Sequence, residues 1–299
     1  MALTIPSWSL SRPAAGLDEL ALTDAAGYTV GPGYAGLGPV DVDQYADQPA
    51  GWPGEVARGV RVLARTVLVP ITVHGYSAGD VAARRDALYR YASPIPDRGR
   101  TDPALTVTVA RPDGTVRRIT GRPTLVESTG DGDVGDLHAT AVLTVRCASP
   151  WWEDVDESRL AFAIGTPPKP FLGSVPFLPV KLASSQVLGQ ASVIVDGTVD
   201  VQPVWEVTGP GAGLVATSRT LGRSWAVSGA IPAGDVWTID TRRGYSSLTD
   251  RAGVNLWPRV TARDLWPLVP GRNDLTLTLT GTTAASLVVA RYRHQWQWV

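Results

Sequence analysis

The chain has 299 residues and a formal charge of −1, and is 44% hydrophobic but only 18% charged. It can bury a sizeable core, and it lacks the electrostatic footprint of a protein that binds nucleic acid or an anionic membrane. Its apolar runs, such as Val67-Leu68-Val69, fall far short of the roughly 18 residues of a membrane helix, residues 1–25 carry no signal-like order, and the one cysteine, Cys147, excludes an intrachain disulfide and a multi-cysteine zinc site.

The 31 Gly and 24 Pro leave little room for long helices and suit many short strands joined by turns. Only Lys169 and Lys181 of the 27 basic residues are lysines, which reads as coding bias rather than chemistry. Residues 1–56 hold short apolar pieces, Leu17–Thr23 and Ala26–Tyr28, between turn signals at Gly31-Pro32-Gly33 and Pro53-Gly54. That is the texture of peripheral hairpins and loops. Residues 57–74 carry the first strong strand signal, with Val60 and Val62, then Val67, Val69, Ile71 and Val73 at period two. Pro70 inside that run predicts an edge strand or a bulge.

From Ser77 to Ala92 the texture becomes helical. Ser77 fits the N-cap, Asp80 the reciprocal capping position, and Val81, Leu88 and Ala92 share a face with Arg85 between them; Pro94 and Pro96 end it. Two hairpins follow. Leu105–Val109 turns at Pro112-Asp113-Gly114 into Val116–Ile119, and Thr124–Thr129 runs through Gly130–Asp136 into an alternating strand from Leu137 to Cys147. Strands, one helix and more strands predict an α+β domain, a single helix on an antiparallel sheet.

Ser149-Pro150-Trp151-Trp152, the acids of Glu153–Glu157 and five prolines between 167 and 179 mark a boundary. The expected division is an N-terminal domain over 1–155, a proline-rich linker over 156–190 and a C-terminal domain over 191–299. Short strands fill the last segment, including Ser192–Val195, Val201–Val207, Val236–Asp240, Leu275–Thr280 and Ser286–Trp298. They predict a β-sandwich.

Four patterns look like chemistry. Gly75-Tyr76-Ser77-Ala78-Gly79 matches the G-x-S-x-G nucleophile elbow between a strand and a helix, but a hydrolase of that kind needs a parallel sheet with repeated crossover helices. Ser77 is better read as a helix cap. Gly31-Pro32-Gly33-Tyr34-Ala35-Gly36 fits G-x-G-x-x-G, yet Leu37-Gly38-Pro39 cannot open the helix that a pyrophosphate needs. Asp131, Asp133 and Asp136 resemble the start of a calcium loop, but Val142 stands where its bidentate glutamate belongs. The three histidines are too dispersed for a metal triad, so neither metal nor cofactor is expected. Finally, seven of the eleven tryptophans follow residue 200. Trp225, Trp237, Trp257 and Trp266 are candidates for stacking on sugar rings, against the alternative of core or subunit contact.

Taken in order, Gly33-Tyr34-Ala35-Gly36-Leu37-Gly38, Pro53-Gly54, Gly75-Tyr76-Ser77, the helix Asp80–Tyr91 with Pro94-Ile95-Pro96, Asp113-Gly114 with Arg117 and Gly121, and Ser149-Pro150-Trp151-Trp152 resemble the N-terminal domain of siphophage distal tail proteins. Val195-Asp196-Gly197-Thr198, Pro203, Ile239-Asp240, Asn255-Leu256 and Leu268 through Pro270-Gly271, Asn273 and Leu275 resemble that family's C-terminal sandwich. The chain departs from the pattern at Asp196, where Asn is common, and at Leu221-Gly222, where Thr-Gly is usual. The resemblance implies a mostly β protein with an α+β N-terminal domain, its single helix on an antiparallel sheet or split barrel, and a galectin-like β-sandwich. It further implies a non-enzymatic virion protein made in the host cytoplasm and built into a ring, usually a hexamer, at the tail tip. Its partners would be copies of itself, the tail tube protein, the tail-tip hub or tail-associated protein and the tape measure. Sequence-specific nucleic-acid binding and membrane insertion are not expected. A host surface glycan met by the sandwich is the alternative reading.

Overall fold

Short alternating segments separated by glycine and proline fold as antiparallel strands through most of the chain. The computed structural model describes residues 6–48, 50–51, 53–95, 104–127, 137–163 and 189–299. It divides into two units, one of residues 1–155 with 296–299 and one of 156–295.

The first unit contains β1 (Ser7–Arg12), β2 (Leu17–Leu22), β3 (Tyr28–Val30), β4 (Val42–Asp47), β5 (Val56–Val62), β6 (Arg65–His74), α1 (Ala78–Ala92), β7 (Leu105–Ala110), β8 (Val116–Glu127), β9 (His138–Cys147) and β10 (Trp152–Asp154). The main sheet runs β2-β1-β7-β8-β9-β6-β3. Its two edge strands, β2 and β3, are joined by only residues 23–27, so the sheet must curl until its edges approach, and it is nearly closed. Trp8, Leu10, Val67, Val69, Ile71, Leu105, Val107, Leu143, Val145 and Trp152 fill the interior.

The alternation from Leu105 to Val109 and from Ala139 to Cys147 is buried as expected, but Leu137, read on the same face, lies ahead of β9 and is 52% exposed. The segments Val116–Ile119 and Thr124–Glu127 are instead parts of one long strand, Ser128 and Thr129 lying outside the described residues. β8 pairs β7 up to Gly121, opposite Leu105, and from Arg122 pairs β9. Gly121 makes the change of partner possible, because a Cβ there would lie 2.6 Å from the Arg146 carbonyl oxygen and 2.8 Å from Cys147 Sγ.

Pro70 lies neither on an edge strand nor in a bulge. β6 pairs β9 in unbroken register from Arg65 to His74, with β3 on its other side. Pro70 turns its backbone toward that other side, where its carbonyl accepts from Gly31 N–H, just past the end of β3. Its missing N–H therefore costs the sheet no bond, since the neighbouring strand stops there.

The helix is capped as the sequence indicates. Ser77 Oγ accepts from the Asp80 N–H at 3.2 Å, and Asp80 Oδ2 accepts from Tyr76 N–H at 3.1 Å, one residue earlier than in the usual reciprocal box. Val81, Leu88 and Ala92 are buried. Arg85 spans the gap between them by laying its guanidinium toward Tyr89, whose hydroxyl it reaches at 2.9 Å.

Cys147 is wholly buried and unpaired, and burial pushes its thiol up to about 12 from an ordinary 9.0, against the pull of Arg65. The native protein is expected to resist thiol reagents at pH 8 and to react once unfolded. The folded thiol holds its proton where the unfolded one loses it, so this contribution is complete below pH 9. It falls by about 1.4 kcal/mol per pH unit above that, until the folded thiol ionises. Urea titrations of the chain and of Cys147→Ser at pH 8 and 10.5 measure the difference. Equal losses of stability in both would refute it.

The second unit contains β11 (Ser158–Ala163), β12 (Gly189–Val195), β13 (Val204–Thr208), β14 (Gly211–Ser218), β15 (Arg223–Ile231), β16 (Val236–Asp240), β17 (Ser247–Thr249), β18 (Val260–Arg263), β19 (Gly271–Thr280) and β20 (Leu287–Tyr292). Two five-stranded sheets, β11-β20-β13-β16-β17 and β12-β19-β14-β15-β18, share one core. Ser158–Ala163, assigned by proline content to a linker, is a strand paired along its length with β20. Its Phe162 side chain is buried in the core. The prolines from 167 to 179 lie outside the described residues.

The run read as one strand from Ser286 to Trp298 is two. β20 ends at Tyr292, and β21 (Gln295–Trp296) pairs β10. Trp296 to Val299 thus belong to the first unit.

Candidate assembly surface

The chain leaves the curled sheet after β3 through a loop that presses on β6. Ala35 and Leu68 exchange backbone hydrogen bonds at 3.1 Å, and Gly36 follows at φ 92°. A Cβ on Gly36 would lie 2.6 Å from the Thr66 carbonyl oxygen, so only glycine lets the backbone come this close. β4 and β5 then form a two-stranded ribbon that, among the described residues, pairs with nothing else. The Leu63 N–H closes its root on the Asp41 carbonyl at 2.9 Å.

The ribbon has two unlike faces. Val42 stands opposite Val62, Gln44 opposite Val60 and, beyond a bulge, Ala46 opposite Ala57; these side chains share one face. On the other face Asp43 stands opposite Arg61, Tyr45 opposite Gly59 and Asp47 opposite Val56, so charges are mixed there with an exposed tyrosine and valine. The bulge gives β5 one extra residue, Arg58, whose Nε donates to Asp47 Oδ2 at 2.6 Å. The apolar face is uncovered: Val60 is 65% exposed and Val42 43%, and every residue of both strands is exposed. A lone two-stranded ribbon is marginally stable in water, so a face of this kind needs cover.

The ribbon's root is held by a buried cation. Arg65 donates to four carbonyl oxygens, those of Gly36, Gly38 (2.8 Å), Pro150 (2.6 Å) and Gln297 (2.6 Å). Burial lowers its guanidinium below the ordinary arginine value, and the bound carbonyls stand in for lost water. Trp152 Nε1 also donates to the Gly36 carbonyl, at 3.3 Å.

The other candidates are put to structural use. Ser77 Oγ is engaged by the helix end, and among the described residues no imidazole bonds to it. His74 Nε2 lies 3.1 Å from Asp24 Oδ1 and 3.2 Å from Thr29 Oγ1. The β6–β9 register sets His138 directly across from His74, a juxtaposition invisible in the sequence. No group of three His, Cys, Asp or Glu suited to a metal occurs among the described residues. His294 Nδ1 accepts from Asp196 N–H, which leaves Nε2 to donate to Ser158 Oγ at 3.3 Å. Asp131, Asp133 and Asp136 lie outside the described residues.

Three of the four candidate sugar platforms are corrected by burial. Trp225 and Trp266 are 0% exposed and Trp237 is 3% exposed, so none offers a ring face to a ligand. Trp225 and Trp266 both set their rings edge-to-face against Trp205, at 5.6 and 5.7 Å. Trp237 packs under Arg259 at 4.9 Å and donates from Nε1 to Asp235. Trp257 is partly buried against the same core, with Arg263 over its ring at 6.0 Å. The hairpin's apolar face was legible only in part, since Val60 and Val62 read as a continuation of the buried run in β6.

Chains of this fold, a curled antiparallel sheet in one unit and a two-sheet sandwich in the other, occur in solved phage hub and baseplate structures. Over 98% of its length the chain is similar to the Dit (gp 19.1) protein of phage SPP1, described as a paradigm of the hub adsorption apparatus in phages infecting Gram-positive bacteria; the TM-score is 0.63 at 16% identity, covering 99% of that chain. It is similar over 99% of its length to a chain of the phage P2 baseplate in its activated conformation, with a TM-score of 0.58 at 9% identity for the calcium form and 0.56 at 10% for the strontium form, each covering all of that chain. At these identities the likeness is one of fold. No family model matches the sequence, and no curated protein matches it.

Proposed function

We propose that this chain is a non-enzymatic structural protein of a phage tail tip, in which copies close into a ring, a hexamer, that joins the tail tube to the baseplate hub and fibre proteins. The observation that carries the reading is the uncovered apolar face of the β4–β5 ribbon, in a chain whose fold matches hub proteins from end to end. A ring needs one surface that fits a different surface of the next copy. A ribbon that carries its charged pairs on one face and only valine, alanine and Gln44 on the other suits that geometry, since the uncharged face can be buried while the charges stay in water. A near-neutral chain also suits a conduit for DNA, which must pass without being held. The tail tube protein, the hub or tail-associated protein and the tape measure are the neighbours this reading supplies, and the virion tail is its place.

Electron microscopy of the purified protein, alone at high concentration and mixed with purified tails, tests the reading. Six-fold rings or decorated tail tips are the expected result. A chain that stays monomeric and leaves the tails bare overturns it.

A further inference from the structure

We infer that residues 296–299 act as a strap that fixes the direction of the β4–β5 ribbon by clamping its root, an inference that rests on reading the ribbon as the assembly arm.

The strap and the root meet through backbone groups. Three successive carbonyls just before the ribbon, those of Gly36, Leu37 and Gly38, are each occupied. Arg65 takes the first and third, and the Val299 N–H takes Leu37 at 2.9 Å. The same Arg65 reaches the Gln297 carbonyl at 2.6 Å, so one guanidinium bridges root and strap. Arg117 holds the strap from a second side. It donates to the Trp298 carbonyl and lies over the Trp296 ring at 4.0 Å. Trp296 Nε1 in turn donates to Asp154 Oδ1 at 2.8 Å. Leu37, Trp296 and Val299 all pack against the core of the first unit.

Arg65 begins the strand that follows the ribbon, and Gly36–Gly38 precede it, so both ends of the ribbon's base are gripped at one point. Among the described residues β4 and β5 pair with no other strand, so beyond its root the ribbon gains no support from the sheet. Without the strap, Leu37 loses its donor and Arg65 and Arg117 each lose a carbonyl. Water can replace these bonds but cannot hold a direction. The sheet core, built from other side chains, keeps its packing while the arm swings.

The test places nitroxide labels at Val56→Cys on the ribbon and Ala82→Cys on the exposed side of α1, and reads their distance distribution by pulsed electron resonance. Buried Cys147 stays unlabelled. Dilute, unassembled protein is used, so the reading does not depend on whether rings form. In the double variant Trp296→Ala with Val299→Pro, which removes the indole contacts and one N–H, the distribution is expected to widen at least twofold. Hydrogen-exchange protection across β6 and β9 is expected to stay intact. Trp298→Ala, which keeps the carbonyl that Arg117 holds, is expected to leave the width unchanged. An unchanged width in the double variant, a loss of protection throughout the first unit, or equal widening in Trp298→Ala each overturns the inference.

Discussion

Val60→Asp is expected to leave the chain folded and to stop it assembling. Val60 is the most exposed valine of the ribbon's apolar face, at 65%, so a carboxylate there meets water in the free protein. Its thermal transition should move by no more than a surface substitution does, about 0.5 kcal/mol. In the proposed ring the same position would be covered at every contact. There the variant loses about 1.5–3 kcal/mol of valine burial and adds the cost of desolvating a charge. At 1.4 kcal/mol per factor of ten, each contact weakens at least about a hundredfold, and a closed ring multiplies that penalty around its circumference. Asp43→Ser, on the charged face, is the control and should weaken assembly far less, because exposed ion pairs contribute about 0–1 kcal/mol. Sedimentation velocity over a concentration series checks both. Rings from Val60→Asp at the parent's concentration would mean that the apolar face is not the contact.

Trp205→Ala is expected to be the most damaging single change in the sandwich. The Trp205 ring is wholly buried and makes edge-to-face contacts with Trp225 and Trp266 and a tilted contact with Phe162 at 6.4 Å. Truncating a buried tryptophan costs about 3–5 kcal/mol, and each lost aromatic pair adds about 0.5–1.5 kcal/mol. One effect runs the other way. Trp205 Nε1 is buried with no partner among the described residues, and deleting it recovers about 1–3 kcal/mol of desolvation. The packing loss is larger, so the net expectation is a loss of about 4–5 kcal/mol. Trp205→Phe separates the two effects, because it keeps a ring and removes the N–H, and it should cost clearly less than Trp205→Ala because it leaves a smaller cavity. Hydrogen exchange at β13 and β14 under increasing urea measures both. Equal losses in the two variants would show that the edge-to-face packing contributes little.

Much of the local structure was legible. Turns at Pro112-Asp113-Gly114 and Asp196-Gly197, the capped helix from Ser77, and the alternating faces of β7, β9 and β19 follow from backbone preferences and period-two patterning, which act within a few residues. These local terms also determined the mostly β class, because glycine and proline occur too often for long helices.

Tertiary structure decided what each apolar face meets. Val60 and Val62 carry the same alternation as Val67 and Val69, yet the first pair is bathed in solvent and the second is 0% exposed. A period of two says that one face is apolar; it does not say what covers it. The tryptophans make the same point, since Trp225 and Trp266 could have been platforms until two sheets closed over them. Arg65 and Arg117 lie 232 and 181 residues from the carbonyls of Gln297 and Trp298 that they hold. No local preference encodes such a meeting: hydrogen bonding to a backbone carbonyl is blind to side-chain identity, and only the path of the folded chain brings the two ends together.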